Sequence, residues 1–171
     1  MSKHSKEILM HDGDFIVSKT DTKGKVTYCN RIFLSIASYQ EDEILGKPHN
    51  MIRHPDMPKA VFRMLWKTLQ KGEEFFGFVK NQTKDGNFYW TFANVTPSYN
   101  DNNQLLGYYS VRRKPSRASV EQFSALYQQM LDEEARHNNA KQAMDAAESI
   151  LMNTIQSTGK SYNEFILSLE M

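Results

Sequence analysis

Residues 74–114, EFFGFVKNQTKDGNFYWTFANVTPSYNDNNQLLGYYSVRRK, decide the fold. Three runs rich in aromatic and β-branched residues are separated by the turn sequences KDGN and NDNN. Asp-Gly between two such runs supplies the positive φ that a tight hairpin needs, so the stretch predicts three consecutive antiparallel strands. The density of Phe, Tyr and Trp fits a sheet with a packed face.

Toward the N-terminus, DFIVSKT (14–20) and KVTYCN (25–30) flank the turn DTKG and predict a further hairpin. Asn30 is placed to cap RIFLSIASY, in which Ile32, Phe33, Ile36 and Ala37 recur at helical spacing. EDEILGKP adds a turn or two, stopped by Gly46 and Pro48. From Pro58 a longer helix begins, with Ala60, Val61, Met64, Leu65, Thr68 and Leu69 on one stripe and Lys71-Gly72 closing it. Two strands, several short helices and three longer strands predict an α+β domain. Its five-stranded antiparallel sheet carries the helices on one face, with a cavity between the layers.

After Pro115 the chain has no glycine until Gly159 and no further proline, which predicts one long helix or two broken ones. Val120, Phe123, Tyr127 and Met130 form a stripe that lapses over DEEARHNNAKQ and resumes around Met144, Ala147, Leu151 and Ile155. An interrupted seam of this kind suits a dimerising or signal-carrying helix, or a helix folded back on its own domain. The expected organisation is an N-terminal extension (1–13), a domain (14–115) and a helical tail (116–171).

Composition bounds the function. The 171 residues suit one domain with an appendage. Twenty-one basic and 20 acidic side chains leave a formal charge of +1, so no overall field favours nucleic acid or a membrane surface. Cys29 stands alone, which excludes an intrachain disulfide and a multi-cysteine zinc site and fits a reducing cytosol. No signal-peptide pattern or long apolar run occurs, so a soluble cytoplasmic protein is expected. HExxH, GxSxG, a Gly-rich phosphate loop and paired carboxylates are all missing, and no enzyme is expected. Arg112, Arg113, Lys114 and Arg117 are too brief a basic run for nucleic acid and are read as flanking the sheet–tail junction.

The stretch PHNMIRHPDMPKAVF (48–62) concentrates two histidines, an arginine, an aspartate and three prolines between the short helices and the long one. GKPHNMIRHPDMPKAVF, the tryptophan of LWKTLQKGE, GFVKNQTKDGNFYW and GYYSVRR together resemble the flavin-binding PAS domain of the bacterial aerotaxis receptor family, over about residues 14–113. That resemblance implies a PAS fold holding FAD noncovalently between sheet and longest connecting helix, and reporting its redox state. It implies cofactor contacts at Arg53, His54, Asp56, Trp66 and Asn81.

Each residue type has its own case. The Arg53 fork fits a pyrophosphate or a nearby acid. His54 can donate to a cofactor or to local backbone, and Asp56, just ahead of Pro58, is suited to capping the helix as well as to touching ligand. Trp66 can cover a flavin ring or fill core, and Asn81 offers both donor and acceptor to a ring edge. Haem, through His49 or His54, is the other cofactor alternative, and a cofactor-free interaction module is the third reading. A photoadduct of the blue-light flavin type wants a cysteine in the helical cluster, whereas Cys29 ends the second strand. The opening MSKHSKE reads as a natural start. Family receptors continue into membrane-anchoring and methyl-accepting segments, so a stand-alone chain is expected to act in trans on a chemotaxis-type signalling partner, and to form homo-oligomers through the domain or the tail.

Overall fold

The computed structural model describes residues 4–171. Strands β1 (Phe15–Thr20), β2 (Val26–Cys29), β3 (Phe75–Gln82), β4 (Phe88–Tyr99) and β5 (Leu105–Arg113) form one sheet in the order β2-β1-β5-β4-β3, every pair antiparallel. The turns fall where the sequence predicts them. The Asp21 carboxylate accepts the amides of Lys23 and Lys25 at 2.9 Å each, and Gly86 supplies a φ of +84° between β3 and β4.

Between β2 and β3 lie α1 (Arg31–Ala37), α2 (Glu41–Ile44), a 3-10 turn (His49–Ile52) and α3 (Lys59–Gln70). Asn30 caps α1 by accepting the Phe33 amide at 3.1 Å, and its amide nitrogen also donates to the Phe15 carbonyl, which ties the helix start to β1. Ile16, Val26, Cys29, Phe33, Ala37, Ile44, Ile52 and Tyr89 form one buried cluster on this inner side of the sheet.

The tail is three helices, α4 (Arg117–Glu134), α5 (Ala140–Gln156) and α6 (Tyr162–Ser168), and it folds back on the domain. The polar stretch that interrupts the apolar stripe is where α4 ends and α5 begins. Val120, Phe123, Tyr127 and Met130 bury against the outer side of β3 and β4. Phe123 lies 4.5 Å from Phe78 between ring centroids, and Tyr127 lies 6.1 Å from Trp90. So the short helices cover one face of the sheet and the tail covers part of the other. Helix α5 then packs beside α3, with Ala147, Leu151 and Ile155 buried in the same cluster as Ala60 and Val61. Residues before β1 also join the fold: the Ile8 amide donates to Phe88 at 2.7 Å and Met10 is buried. Among the described residues no helix is long and apolar enough to cross a membrane.

Candidate functional site

A cavity of about 170 Å³ opens between α3 and the inner face of the sheet. Strand alternation builds one wall. Ser18 pairs with Ser110, Ile16 and Ala93 pair with Arg112, and Gly77 pairs with Ala93, so Ser18, Ser110, Arg112, Ala93, Val79 and Asn81 all face the same way. Helix α3 builds the other wall with Phe62, Leu65, Trp66 and Leu69, one turn apart on one side.

Three of the five expected residues line this cavity, and the backbone explains why. Arg53 forms an isolated antiparallel bridge with Asn81 at the free edge of β3, and the His54 amide donates to the Lys80 carbonyl at 3.2 Å. The segment is thus a one-residue extension of the sheet. Its side chains alternate, so Arg53 and Asn81 enter the cavity together while His54 and Lys80 turn outward. Arg53 lies 3.3 Å above the Phe62 ring, and burial lowers its affinity for its proton. Trp66 is 37% exposed at the mouth, packed edge-on against Tyr108 at 5.2 Å.

His54 and Asp56, also expected to contact a cofactor, lie outside the lining of this cavity. His54 Nδ1 accepts the Asp56 amide at 3.0 Å and its ring meets Phe88 edge-on. Asp56, with its side chain 58% exposed, pairs with Lys80 at 2.8 Å, and that hydrogen bond holds its carboxyl below the usual range. Nor does Asp56 cap α3. The amides of Lys59 and Ala60 are taken instead by Glu134, at the end of α4, at 3.2 and 2.9 Å. Pro58 has no side-chain acceptor, and a carboxylate from a distant element fills the vacancy.

Two further polar residues belong to the site. Arg112 is 3% exposed, its guanidinium 5.0 Å from the Phe33 ring centroid. Its Nη2 donates to Ser18 Oγ at 2.6 Å and its Nη1 to His49 Nε2 at 3.0 Å. An arginine nitrogen can only donate, so His49 Nε2 is unprotonated and the ring proton sits on Nδ1. Burial, then the charges of Arg112 and Arg53, push His49 down to about 3. Burial lowers Arg112 to about 10 and raises Tyr89 to about 12. The sequence signal for Arg112 was strand parity: in YYSVRR, Tyr108, Ser110 and Arg112 share one face, opposite Tyr109, Val111 and Arg113. Arg113, which reaches Glu170 at 3.7 Å, Lys114, which pairs with Asp12 at 2.9 Å, and Arg117, which pairs with Glu7 at 2.9 Å, play the expected junction role, whereas Arg112 enters the cavity.

The electrostatics are one-sided. Arg53, Arg112 and Lys23 line the cavity, and among the described residues no carboxylate does. Arg53 Nε and Arg112 Nε are buried without a hydrogen-bond partner, while Asn81 Nδ2 and the Tyr89 hydroxyl make no bond of full geometry but act on each other. Groups of this kind cost about 1–3 kcal/mol each when left unpaired, and more when charged. Such a chamber suits a flat, hydrogen-bonding molecule with acceptors or negative charge. Iron ligation fits less well, since His49 Nε2 and His54 Nδ1 are both already engaged. Cys29 is buried and is not among the lining residues.

A family model described as the PAS fold matches residues 26–112. The chain belongs to this family. It is 40% identical over 116 residues to the aerotaxis receptor of Escherichia coli, covering 68% of this chain and 23% of that protein. The biofilm dispersion protein BdlA of Pseudomonas aeruginosa is 34% identical over 87 residues, covering 50% of this chain and 21% of that protein. The chain thus spans under a quarter of the length of either relative. Among solved structures, a light-oxygen-voltage domain studied with a flavin analogue superposes with a TM-score of 0.57 at 21% identity, covering 67% of this chain and 86% of that one. The dark structure of the Aureochrome1 light-oxygen-voltage domain gives 0.55 at 19%, covering 69% and 83%. These superpositions establish the fold, and the motif resemblance to the aerotaxis type agrees with the relatives found.

Proposed function

We propose that this chain is a PAS sensor that binds FAD noncovalently between α3 and the sheet and passes its redox state through the 116–171 tail to a chemotaxis-type signalling partner. Residues 14–115 form the sensing unit in this reading, and self-association accompanies signalling. The observation that carries it is the acid-free cavity, in which the Nε atoms of Arg53 and Arg112 are buried without hydrogen-bond partners beside the Asn81 amide. Similarity to the aerotaxis receptor, and the fold shared with a domain studied with a flavin analogue, support the same ligand class.

The residues present fit the group. Asn81 offers an amide donor and a carbonyl acceptor to the edge of a planar heterocycle. Arg53 presents a donor fork to phosphate or ring carbonyl, and Arg112 holds positive potential at the deep end of the chamber. Phe62, Leu65 and Trp66 supply an apolar wall and exclude water. A bound flavin supplies the redox chemistry. What the chain contributes is a set of contacts that differ in strength with the charge of the ring, which is the condition for any redox signal to bias the protein.

The absorption spectrum of the purified, never-unfolded protein tests the reading. A two-band flavin envelope supports it, and a sharp Soret band selects haem instead. A colourless protein that also takes up no added FAD removes both and leaves a cofactor-free interaction module. Arg53→Ala and Asn81→Ala should each lower FAD retention about tenfold or more while the far-UV spectrum stays that of the wild type. Unchanged occupancy in both would remove the site assignment.

A further inference from the structure

Both walls of the cavity are fastened to the tail, by different bonds. On β3, the edge carbonyls of Phe78 and Phe76 accept the hydroxyls of Tyr127 (α4) and Tyr162 (the start of α6), each at 2.7 Å. These carbonyls have no partner strand, because β3 is the last in the sheet. On α3, Glu134 takes the first amides of the helix, and Arg63 donates to Asp145 at 2.7 Å and Glu148 at 2.5 Å on α5. Arg63 sits one residue beyond the cavity-lining Phe62. Burial works against its charge, but the two carboxylates hold its proton more tightly than usual.

We infer that the tail is a clasp that sets the separation of α3 from β3, so that a ligand entering the cavity loosens it. This rests on the reading of that cavity as a cofactor site. The direction follows from size. The chamber holds about 170 Å³, below the ~300–1,000 Å³ usual for small-molecule sites, so a tricyclic ring gains room by displacing a wall. Strand β3 is pinned to β4 along its whole length. Helix α3 is held by packing and by the Glu134 and Arg63 bonds, and it is the wall that gives way. Moving it from β3 stretches those bonds against tyrosines anchored on the strand. Thermodynamic linkage makes the effect reciprocal: whatever factor the ligand takes from tail docking, tail release returns as affinity.

Hydrogen exchange by mass spectrometry on the full chain tests this, with Glu134→Ala and Arg63→Gln as separate variants. Arg136→Ala, whose guanidinium pairs with Glu133 of α4 and not with α3 among the described residues, is the control. Without flavin, both variants should exchange the amides of α3 at least about fivefold faster than wild type while β1 and β2 keep their rates. Equal α3 rates in variants, control and wild type overturn the clasp. With FAD added to wild type, α4 and α5 should exchange faster, and each variant should bind FAD more tightly by about the factor that FAD takes from tail protection. Tail protection that is unchanged or increased by bound FAD overturns the direction of coupling and the proposal with it. If wild type takes up no FAD, the cofactor reading falls on its own, and the clasp stands or falls by the flavin-free rates.

Discussion

His49 should make folding sensitive to mild acid, and its surroundings set the size of the effect. The ring is partly buried, its Nε2 accepts from Arg112, and Arg53 lies close by, so loss of solvent first and then the two guanidinium charges hold its pKa at about 3 instead of 6.5. The unfolded chain therefore takes up a proton below pH 6.5 that the folded chain refuses until about pH 3. Stability from this group is full above pH 6.5 and falls as pH drops through that window. At pH 5 the loss is ~2 kcal/mol, and near pH 3 it reaches ~4 kcal/mol. His54, also lowered by burial and by Lys80, acts with the same sign, so His54→Gln is a useful companion. Urea unfolding followed by far-UV circular dichroism at pH 7.5 and pH 5.0 measures the difference. Wild type should lose ~2 kcal/mol more than His49→Gln over that interval, a midpoint shift of roughly 1 M urea at a slope of ~2 kcal/mol per molar. Comparing the change with pH within each protein removes any fixed cost of the substitution. Equal losses in both proteins would refute the account of a neutral His49 held beside Arg112.

Arg112→Met should leave the stability of the flavin-free protein unchanged or raise it by up to ~2 kcal/mol, because it removes a buried charge with no carboxylate partner, while flavin retention falls; unfolding and flavin titration of the same sample read both. Tyr127→Phe should cost ~1–2 kcal/mol in urea unfolding, since the buried hydroxyl is the donor to the Phe78 carbonyl on an edge strand. A cost below ~0.5 kcal/mol would mean that the carbonyl finds another donor.

What the sequence revealed follows the range of the interactions. Asp-Gly at 85–86, the Asn30 cap, the α3 stripe and the break between α4 and α5 are local, and the structure has them where residue order puts them. Arg53, Trp66 and Asn81 were reachable from the motif and reach the cavity. His54 and Asp56, one and three residues beyond Arg53, do not, because the Arg53–Asn81 bridge imposes strand alternation on a segment that reads as a Pro-rich turn. The capping role given to Asp56 went to Glu134, 78 positions away, and no local pattern announces a cap supplied from another helix. Arg112 looked like part of a basic run. Its orientation depends on the register of β5 against β1 and β4, which sequence parity suggests but only pairing fixes.

Arg112 also bears on why the cavity exists at all. A buried cation is normally paired or absent, and replacing such a group with an apolar side chain is often neutral or stabilising. Here the partners are all neutral: the Ser18 hydroxyl, the unprotonated His49 nitrogen and the face of Phe33. Holding His49 neutral adds its own cost below pH 6.5, and Arg53 brings a second cation to the same chamber without an acid to offset it. Packing alone gives no reason for this set, since a leucine at 112 would fill the space without adding a cation's charge to the burial that already disfavours protonated His49. Burial rules are broken most heavily at this cavity, where two guanidinium groups lack a carboxylate, and that concentration is what the proposed ligand site accounts for. In the proposed reading the ligand supplies the missing counter-charge, and the acid-free cavity and the Asn81 amide then meet the same molecule.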